Sequence, residues 1–141
     1  MIPRPTSVTW GAPPRVNPPL GRPDGADKYF HQALELSRKL GDIQGEISAR
    51  ANLASVHAAQ QRPLDALNAL AEAVAISHEI GDLKSECRLR YNIGLLLASQ
   101  NRWEESQKYF EASRSLATSL NWREGLALAI DQLQRVQRNL A

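Results

Sequence analysis

Apolar residues recur with helical spacing along most of the chain. From position 25 onward, small and apolar residues lie three or four positions apart, which places their side chains on one helical face. Short polar breaks interrupt this pattern at intervals. The pattern predicts six helices, with bounds of about 25–39, 43–60, 63–79, 83–100, 103–119 and 122–139.

The polar breaks contain residues that end one helix and begin the next. Gly41 suits the left-handed residue that ends a helix, and Asp42 suits the N-cap of the following helix. The same pair returns at 81–82. At the third break we expect Asn121 to be the N-cap, with Glu124 three residues on as in a capping box. Breaks this short predict antiparallel helical hairpins.

The helical pattern itself repeats, with a period of about 40 residues. Leu40-Gly41-Asp42 returns as Ile80-Gly81-Asp82, and Arg50-Ala51-Asn52-Leu53 returns as Arg90-Tyr91-Asn92-Ile93. A fixed period in this range predicts stacked helical hairpins whose core forms only between neighbours. Such arrays usually present a surface to a partner. The repeat therefore predicts a binding module, without identifying what it binds.

Within each period the residues resemble the tetratricopeptide repeat. That family has a small residue and a leucine in the first helix of each hairpin, and Ala, Phe and Ala in the second. The corresponding residues here are Asn52-Leu53-Ala54 and Asn92-Ile93-Gly94 in first helices, and Ala66, Leu70, Ala73, Ser106, Phe110 and Ser113 in second helices. The resemblance implies an all-α fold, a right-handed superhelical solenoid of antiparallel hairpins with six helices.

The repeat length and two residue types depart from the common pattern of that family. The period of about 40 residues exceeds the usual length of roughly 34 residues. It resembles the long-repeat branch of LGN-type and kinesin-light-chain-type adaptors and of bacterial regulators similar to MalT. Arg50 and Arg90 stand where the family usually has a large apolar residue, and His57 and Leu97 stand at its tyrosine position.

The predicted domain layout consists of a tail and an incomplete set of repeats. The tail is 1–24 and the repeat domain is 25–141, which comprises the half repeat 25–41, the repeats 42–81 and 82–121 and the terminal helix 122–140. Because the first hairpin lacks its first helix, we expect an unpaired apolar face around Tyr29, Phe30 and Leu34. The tail could cover this face, two chains could pair there, or the chain could belong to a longer array.

The predicted tail is rich in proline and basic. Seven of the eight prolines lie in the first 23 residues, together with Arg4, Arg15 and Arg22 and no acidic residue. Proline lacks an amide donor and restricts the residue before it, so a helix or a central strand is disfavoured here. We expect residues 1–24 to be disordered.

Composition and charge exclude several classes of function. The net charge of +2 is too small to indicate nucleic-acid binding, and no apolar run approaches the roughly 20 residues of a membrane helix. The only cysteine, Cys87, cannot form an internal disulfide. The N-terminus lacks the apolar segment of a signal peptide, and we therefore expect a cytoplasmic location.

Residue patterns for catalysis or metal binding are absent from the sequence. His31, His57 and His78 do not pair at helical spacing, no cysteine pair accompanies them, and no glycine-rich phosphate loop occurs. Cys87 begins a helix, but without a basic partner and a matching histidine we interpret it as a packing residue. We expect a protein without enzymatic activity, cofactor or metal.

The resemblance implies that the first helices of the hairpins line a concave binding groove. The predicted peptide-binding residues are Asn52, Arg88, Tyr91, Asn92, Leu95, Gln132 and Arg135. One amide per repeat, at 52, 92 and 132, suits the backbone of an extended peptide, although the asparagines could equally serve packing between repeats. An excess of arginine on this face suits an acidic or C-terminal carboxylate ligand, although these arginines could equally be solvated without a ligand, and Tyr91 is the predicted anchor.

These features lead to three functional hypotheses. The first is an adaptor that binds a peptide or helical segment of a protein partner in the concave groove. The second is a structural protein that self-associates through helix 25–39, with an empty groove. The third is a regulatory sensor in which a ligand changes the curvature of the repeats.

Overall fold

The computed structural model describes residues 23–141, and this part of the chain is all-α. Its helices are α1 (Pro23–Leu40), α2 (Ile43–Ala59), α3 (Pro63–Glu79), α4 (Leu83–Ser99), α5 (Trp103–Ser119) and α6 (Arg123–Leu140). The six predicted helices are confirmed, and their bounds lie close to the predicted ones. The predicted tail lies outside the described residues except for Pro23 and Asp24, which begin α1.

Each of the first five helices is followed within two residues by a residue with a left-handed backbone, and these residues recur at every twentieth position. They are Gly41 (φ 68°), Gln61 (φ 62°), Gly81 (φ 74°), Asn101 (φ 60°) and Asn121 (φ 54°). The next residue in each turn donates its N–H to a carbonyl five positions earlier, as Asp42 does to Ser37 at 2.8 Å. Such bonds satisfy carbonyls that a helix end would otherwise leave unpaired. One type of turn therefore closes all five helices.

Aspartate caps two of the helices that follow these turns. The Asp42 carboxylate accepts from the Gly45 N–H at 2.9 Å, and the Asp82 carboxylate accepts from the Ser85 N–H at 3.1 Å. The prediction that Asn121 caps α6 is wrong. Asn121 adopts the left-handed turn conformation instead, which moves the N-cap position to Trp122, a side chain that makes no capping hydrogen bond.

The chain divides into two compact units between Ile76 and Ser77, near the end of α3, and each is described by itself. In the N-terminal unit, α1 packs against α2. Phe30 and Leu34, 6% and 8% exposed, lie in one cluster with α2 residues that include Leu53. This corrects the expectation of an unpaired apolar face on α1, because the same residues form its contact with α2.

The arginines that depart from the family pattern form ion pairs. Arg50 lies 3.1 Å from Glu46 on the preceding turn of α2 and 2.6 Å from Glu72 on α3. In the C-terminal unit, Arg90 lies 2.9 Å from Glu86, whose side chain is only 5% exposed. Each guanidinium therefore has a carboxylate partner within its own unit, and charge pairing replaces the apolar contact that the family usually has here.

The C-terminal unit is built from α4, α5 and α6, with α5 in contact with both of the others. Phe110 of α5 is fully buried and meets the ring of Tyr91 edge-on, with 5.5 Å between the ring centroids. Gly94 of α4 faces the Phe110 ring so closely that a Cβ would come within 2.7 Å of it. One period earlier, the equivalent positions hold Ala54 and Leu70, both buried. A larger residue on one helix is thus matched by a smaller one on the other.

We expect Gly94→Ala to destabilise the fold by about 1–3 kcal/mol, although alanine is the better helix former, because the added methyl group overlaps the Phe110 ring. Phe110→Leu alone leaves a cavity and costs about 1 kcal/mol. The double variant reproduces the pair at 54 and 70. It should therefore lose at least about 1 kcal/mol less than the sum of the single variants. Urea unfolding of the four proteins measures this coupling, and additive losses would contradict the volume match.

We expect Gln61→Gly to stabilise the chain by about 1 kcal/mol, because a residue with a Cβ is strained at φ 62° and glycine is not. The matched control is Gly81→Ala, which introduces the same strain in the reverse direction. A Cβ on Gly81 would meet nothing within 4 Å, so only the backbone is affected there. Calorimetric melting should show a rise for the first variant and a fall for the second. Equal shifts in one direction would refute the role of the backbone.

Candidate binding groove

The C-terminal unit contains a groove between the C-terminal halves of α4 and α6 and the start of α5. Its volume is about 460 Å³, and its lining residues are Leu95, Ala98, Ser99, Trp103, Gln132, Arg135, Val136, Arg138 and Asn139. We call it the α4–α6 groove. It brings together three of the predicted binding residues, Leu95, Gln132 and Arg135, which lie on two different helices far apart in the chain.

Two arginines give the α4–α6 groove its charge. Arg135 lies 3.4 Å from Asp131 one turn earlier, but both side chains are more than half exposed, so the pair is readily exchanged for another partner. Asn139 donates from Nδ2 to the carbonyl of Arg135 at 2.9 Å. Arg138 has no carboxylate partner among residues 23–141. Guanidinium groups beside the apolar Leu95 suit a peptide segment that carries carboxylates.

Tyr91 is not at the exposed position expected of a ligand anchor. Its side chain is 4% exposed and packs against Phe110, and it forms a hydrogen bond with the Gln132 side chain. Burial raises the pKa of Tyr91, while that hydrogen bond acts in the opposite direction. Tyr91 is therefore buried and is not among the residues that line the groove.

The two asparagines of the predicted amide row are buried. Asn52 is 4% exposed and lies in the N-terminal unit, and Asn92 is 2% exposed and lies in the C-terminal unit. The residues on either side of Asn52 in the sequence, Ala51 and Leu53, are buried as well. Burial favours the packing role of the asparagines. A contact between either amide and a peptide stays a prediction.

Arg88 has a neighbour that the sequence pattern did not indicate. Its Cζ lies 5.1 Å from the ring centroid of Trp122 at the start of α6, and the Lys84 Nζ lies 4.7 Å from the same centroid. Gly125 permits this arrangement, since a Cβ there would overlap the Trp122 ring. The sequence did contain one signal for this contact. Trp122 stands at the position that Asp42 and Asp82 occupy in the earlier periods.

Cys87 is enclosed by the contact between α4 and α5. It is 1% exposed, and its Sγ lies 3.2 Å from the carbonyl oxygen of Ser113. Burial raises the pKa of the Cys87 thiol, and this effect exceeds the opposing hydrogen bond with Ser113. The interpretation of Cys87 as a packing residue is therefore supported, and its start-of-helix position does not make it a thiolate at neutral pH.

Metal-binding clusters and membrane-spanning helices are both absent from residues 23–141. Within that range, no group of three or more His, Cys, Asp or Glu side chains is arranged to hold a metal ion. None of the helices in the same range is both long and apolar enough to cross a membrane.

Residues 19–79 match a protein-family model described as tetratricopeptide repeat. A search of curated proteins returns no significant match. The matched segment ends before α4, and the groove lies in the following period of the same repeat.

We expect iodoacetamide to alkylate Cys87 about 100-fold more slowly in the folded chain than in urea, because a buried thiol with a raised pKa reacts only after local opening. The control is Ser115→Cys in a Cys87→Ala background, which places a thiol on the exposed side of α5. Mass spectrometry at pH 8 follows both reactions. Equal rates at 87 and 115 in the folded proteins would contradict the enclosed position of Cys87.

Proposed function

We propose that this chain, which matches the tetratricopeptide repeat family over residues 19–79, is a protein-interaction module that binds a peptide segment of a partner in the α4–α6 groove. The family generally mediates protein–protein interaction and is typically a non-enzymatic scaffold. The length of the period favours the long-repeat branch of adaptors and regulators. The observation that carries the proposal is the groove itself, which joins Leu95, Gln132 and Arg135 at one place.

The charges of the groove favour an acidic ligand. Residues 131–138 of α6 include two arginines, Arg135 and Arg138, and one acidic residue, Asp131. A ligand carboxylate can replace Asp131 as the partner of Arg135, which costs little because the existing pair is exposed. It can also bind Arg138, which has no carboxylate partner in the described chain. Leu95 and Val136 offer apolar contact for a side chain beside these charges.

Self-association is the second candidate function. The part of α1 that favours it is not the part that the sequence suggested. Phe30 and Leu34 are buried within the unit, whereas Leu36 is 57% exposed and Leu40 is 71% exposed. Two exposed leucines one turn apart give a small apolar strip on which a second copy could pack. Leu36→Ser with Leu40→Ser would then convert a dimer into a monomer in light scattering.

The groove is tested by selecting peptides against the full chain from a random displayed library, followed by calorimetric titration of the enriched sequences. We expect enrichment of aspartate and glutamate. Replacing both groove arginines, Arg135→Gln with Arg138→Gln, should weaken binding at least about tenfold, since each removes a charge-assisted hydrogen bond. The matched control is Arg114→Gln with Lys108→Gln, which removes two exposed positive charges from α5.

Two results would contradict a peptide site in the groove. One is equal affinity of the selected peptides for the groove variant and for the parent. The other is an equal loss in the α5 control, which would assign binding to the net charge of the chain and not to a place on it. Circular dichroism of each variant establishes that helicity is unchanged.

A further inference from the structure

Trp122 interrupts the repeat at a position where both earlier periods have aspartate. Asp42 and Asp82 cap the helices that follow them, and Trp122 cannot. The indole Nε1 of Trp122 instead donates to Glu124 at 3.2 Å, and its ring packs against Gly125. A cap is worth about 1 kcal/mol, and the third period does without it. Places where a chain breaks its own local pattern are candidates for function.

The ring of Trp122 lies next to two positive charges. Lys84 Nζ and Arg88 Cζ lie 4.7 and 5.1 Å from its centroid, within the range of cation–π attraction. Neither side chain has a carboxylate partner in the described part of the chain. Six other described arginines do have one, and they are Arg38, Arg50, Arg62, Arg90, Arg102 and Arg135.

Arg88 is distinct from the other described arginines without a carboxylate partner. Arg114, Arg123 and Arg138 are exposed to solvent, whereas Arg88 is partly buried. Its Nε atom is fully buried and has no hydrogen-bond partner within residues 23–141. Partial burial of an uncompensated guanidinium is unfavourable, and a like charge one turn away adds repulsion. A cation–π contact returns only about 0.5–2 kcal/mol.

The repeat fold does not require this arrangement of charges. One period earlier, the positions of Lys84 and Arg88 hold the uncharged Gln44 and Ser48, and that period folds into the same helices and turns. The cations and the tryptophan thus occur together only where the third period begins. An incoming anion would relieve the repulsion between Lys84 and Arg88 and give Arg88 the anionic partner that it lacks.

We propose that Lys84, Arg88 and Trp122 form a second anion site, which takes an acidic side chain of the same peptide that occupies the α4–α6 groove. This proposal rests on the proposed function. Arg88 and Leu95 lie two turns apart on α4, about 10 Å along the helix. An extended peptide covers this distance in about three residues. The ligand therefore carries two acidic groups separated by about three to five positions.

The spacing is tested with three fluorescently labelled probe peptides and the full chain. The first carries two glutamate pairs separated by three neutral residues, the second has one pair replaced by glutamine, and the third has both pairs replaced. Fluorescence anisotropy should show that the first binds at least about fivefold tighter than the second, because it engages both sites. The third should show no measurable binding.

The contribution of the second site is isolated with Lys84→Gln combined with Arg88→Gln. In that variant the two-ended and one-ended peptides should bind within about twofold of each other, because only the α4–α6 groove remains. The α5 control, Lys108→Gln with Arg114→Gln, should keep the fivefold preference. The indole signal of Trp122, assigned with Trp122→Phe, should move in the nuclear magnetic resonance spectrum when the two-ended peptide is added and stay in place with the neutral one.

Each other outcome decides against the second site. If the Lys84/Arg88 variant keeps the preference for the two-ended peptide, the second site is refuted. The groove would still stand, provided that the Arg135/Arg138 variant loses binding. If the parent protein binds both acidic peptides equally, the second site is also refuted. If neither peptide binds at millimolar concentration, the second site is refuted as well, and the groove is then decided by the selected peptides alone.

Discussion

The left-handed residue at every twentieth position is the constraint on which the other features of this chain depend. It follows each of the first five helices, which have nearly equal lengths. Each new helix therefore begins at the same position relative to the repeat as the one before. Equal helix lengths keep equivalent positions at equivalent places in successive hairpins. Glycine meets this need without strain at 41 and 81, while Gln61, Asn101 and Asn121 adopt the same backbone conformation at a steric cost.

Because equivalent positions recur in every period, the same position can hold a different residue type in each one. The pair Ala54 and Leu70 becomes Gly94 and Phe110, with the small partner shrinking as the large one grows. The pair Glu46 and Arg50 returns as Glu86 and Arg90, and then becomes Leu126 and Ile130 on α6. Ile130 is 40% exposed, and no described helix covers it. The ion pair is therefore present on α2 and α4, where it is partly buried, and absent from α6, where the position of the arginine is exposed.

Sequence reasoning recovered the helices and turns because these depend on local residue types. Apolar spacing located all six helices, and the repeat period identified the hairpins. It failed at Asn121, because asparagine suits both a left-handed turn and an N-cap, and neighbouring residues decide between them. It also placed Tyr91 and Asn52 on an open face, because a helical wheel cannot show that α2 and α4 are enclosed on two sides.

The candidate site was only partly predictable for the same reason. Leu95, Gln132 and Arg135 line one groove, and their contact with a peptide stays a prediction. The contact of Trp122 with Lys84 and Arg88 joins residues of different periods and follows no periodic rule.

Comparison with the equivalent positions of the earlier periods nevertheless shows that this contact is unusual. A change that breaks the pattern of the chain, removes a cap and gathers unpaired charge lowers stability without helping the hairpin to form. Such a change is consistent with selection for a ligand, because a ligand contributes binding free energy that the isolated fold cannot. In a chain built from repeats, the positions that differ between periods are therefore more informative about function than the positions that recur.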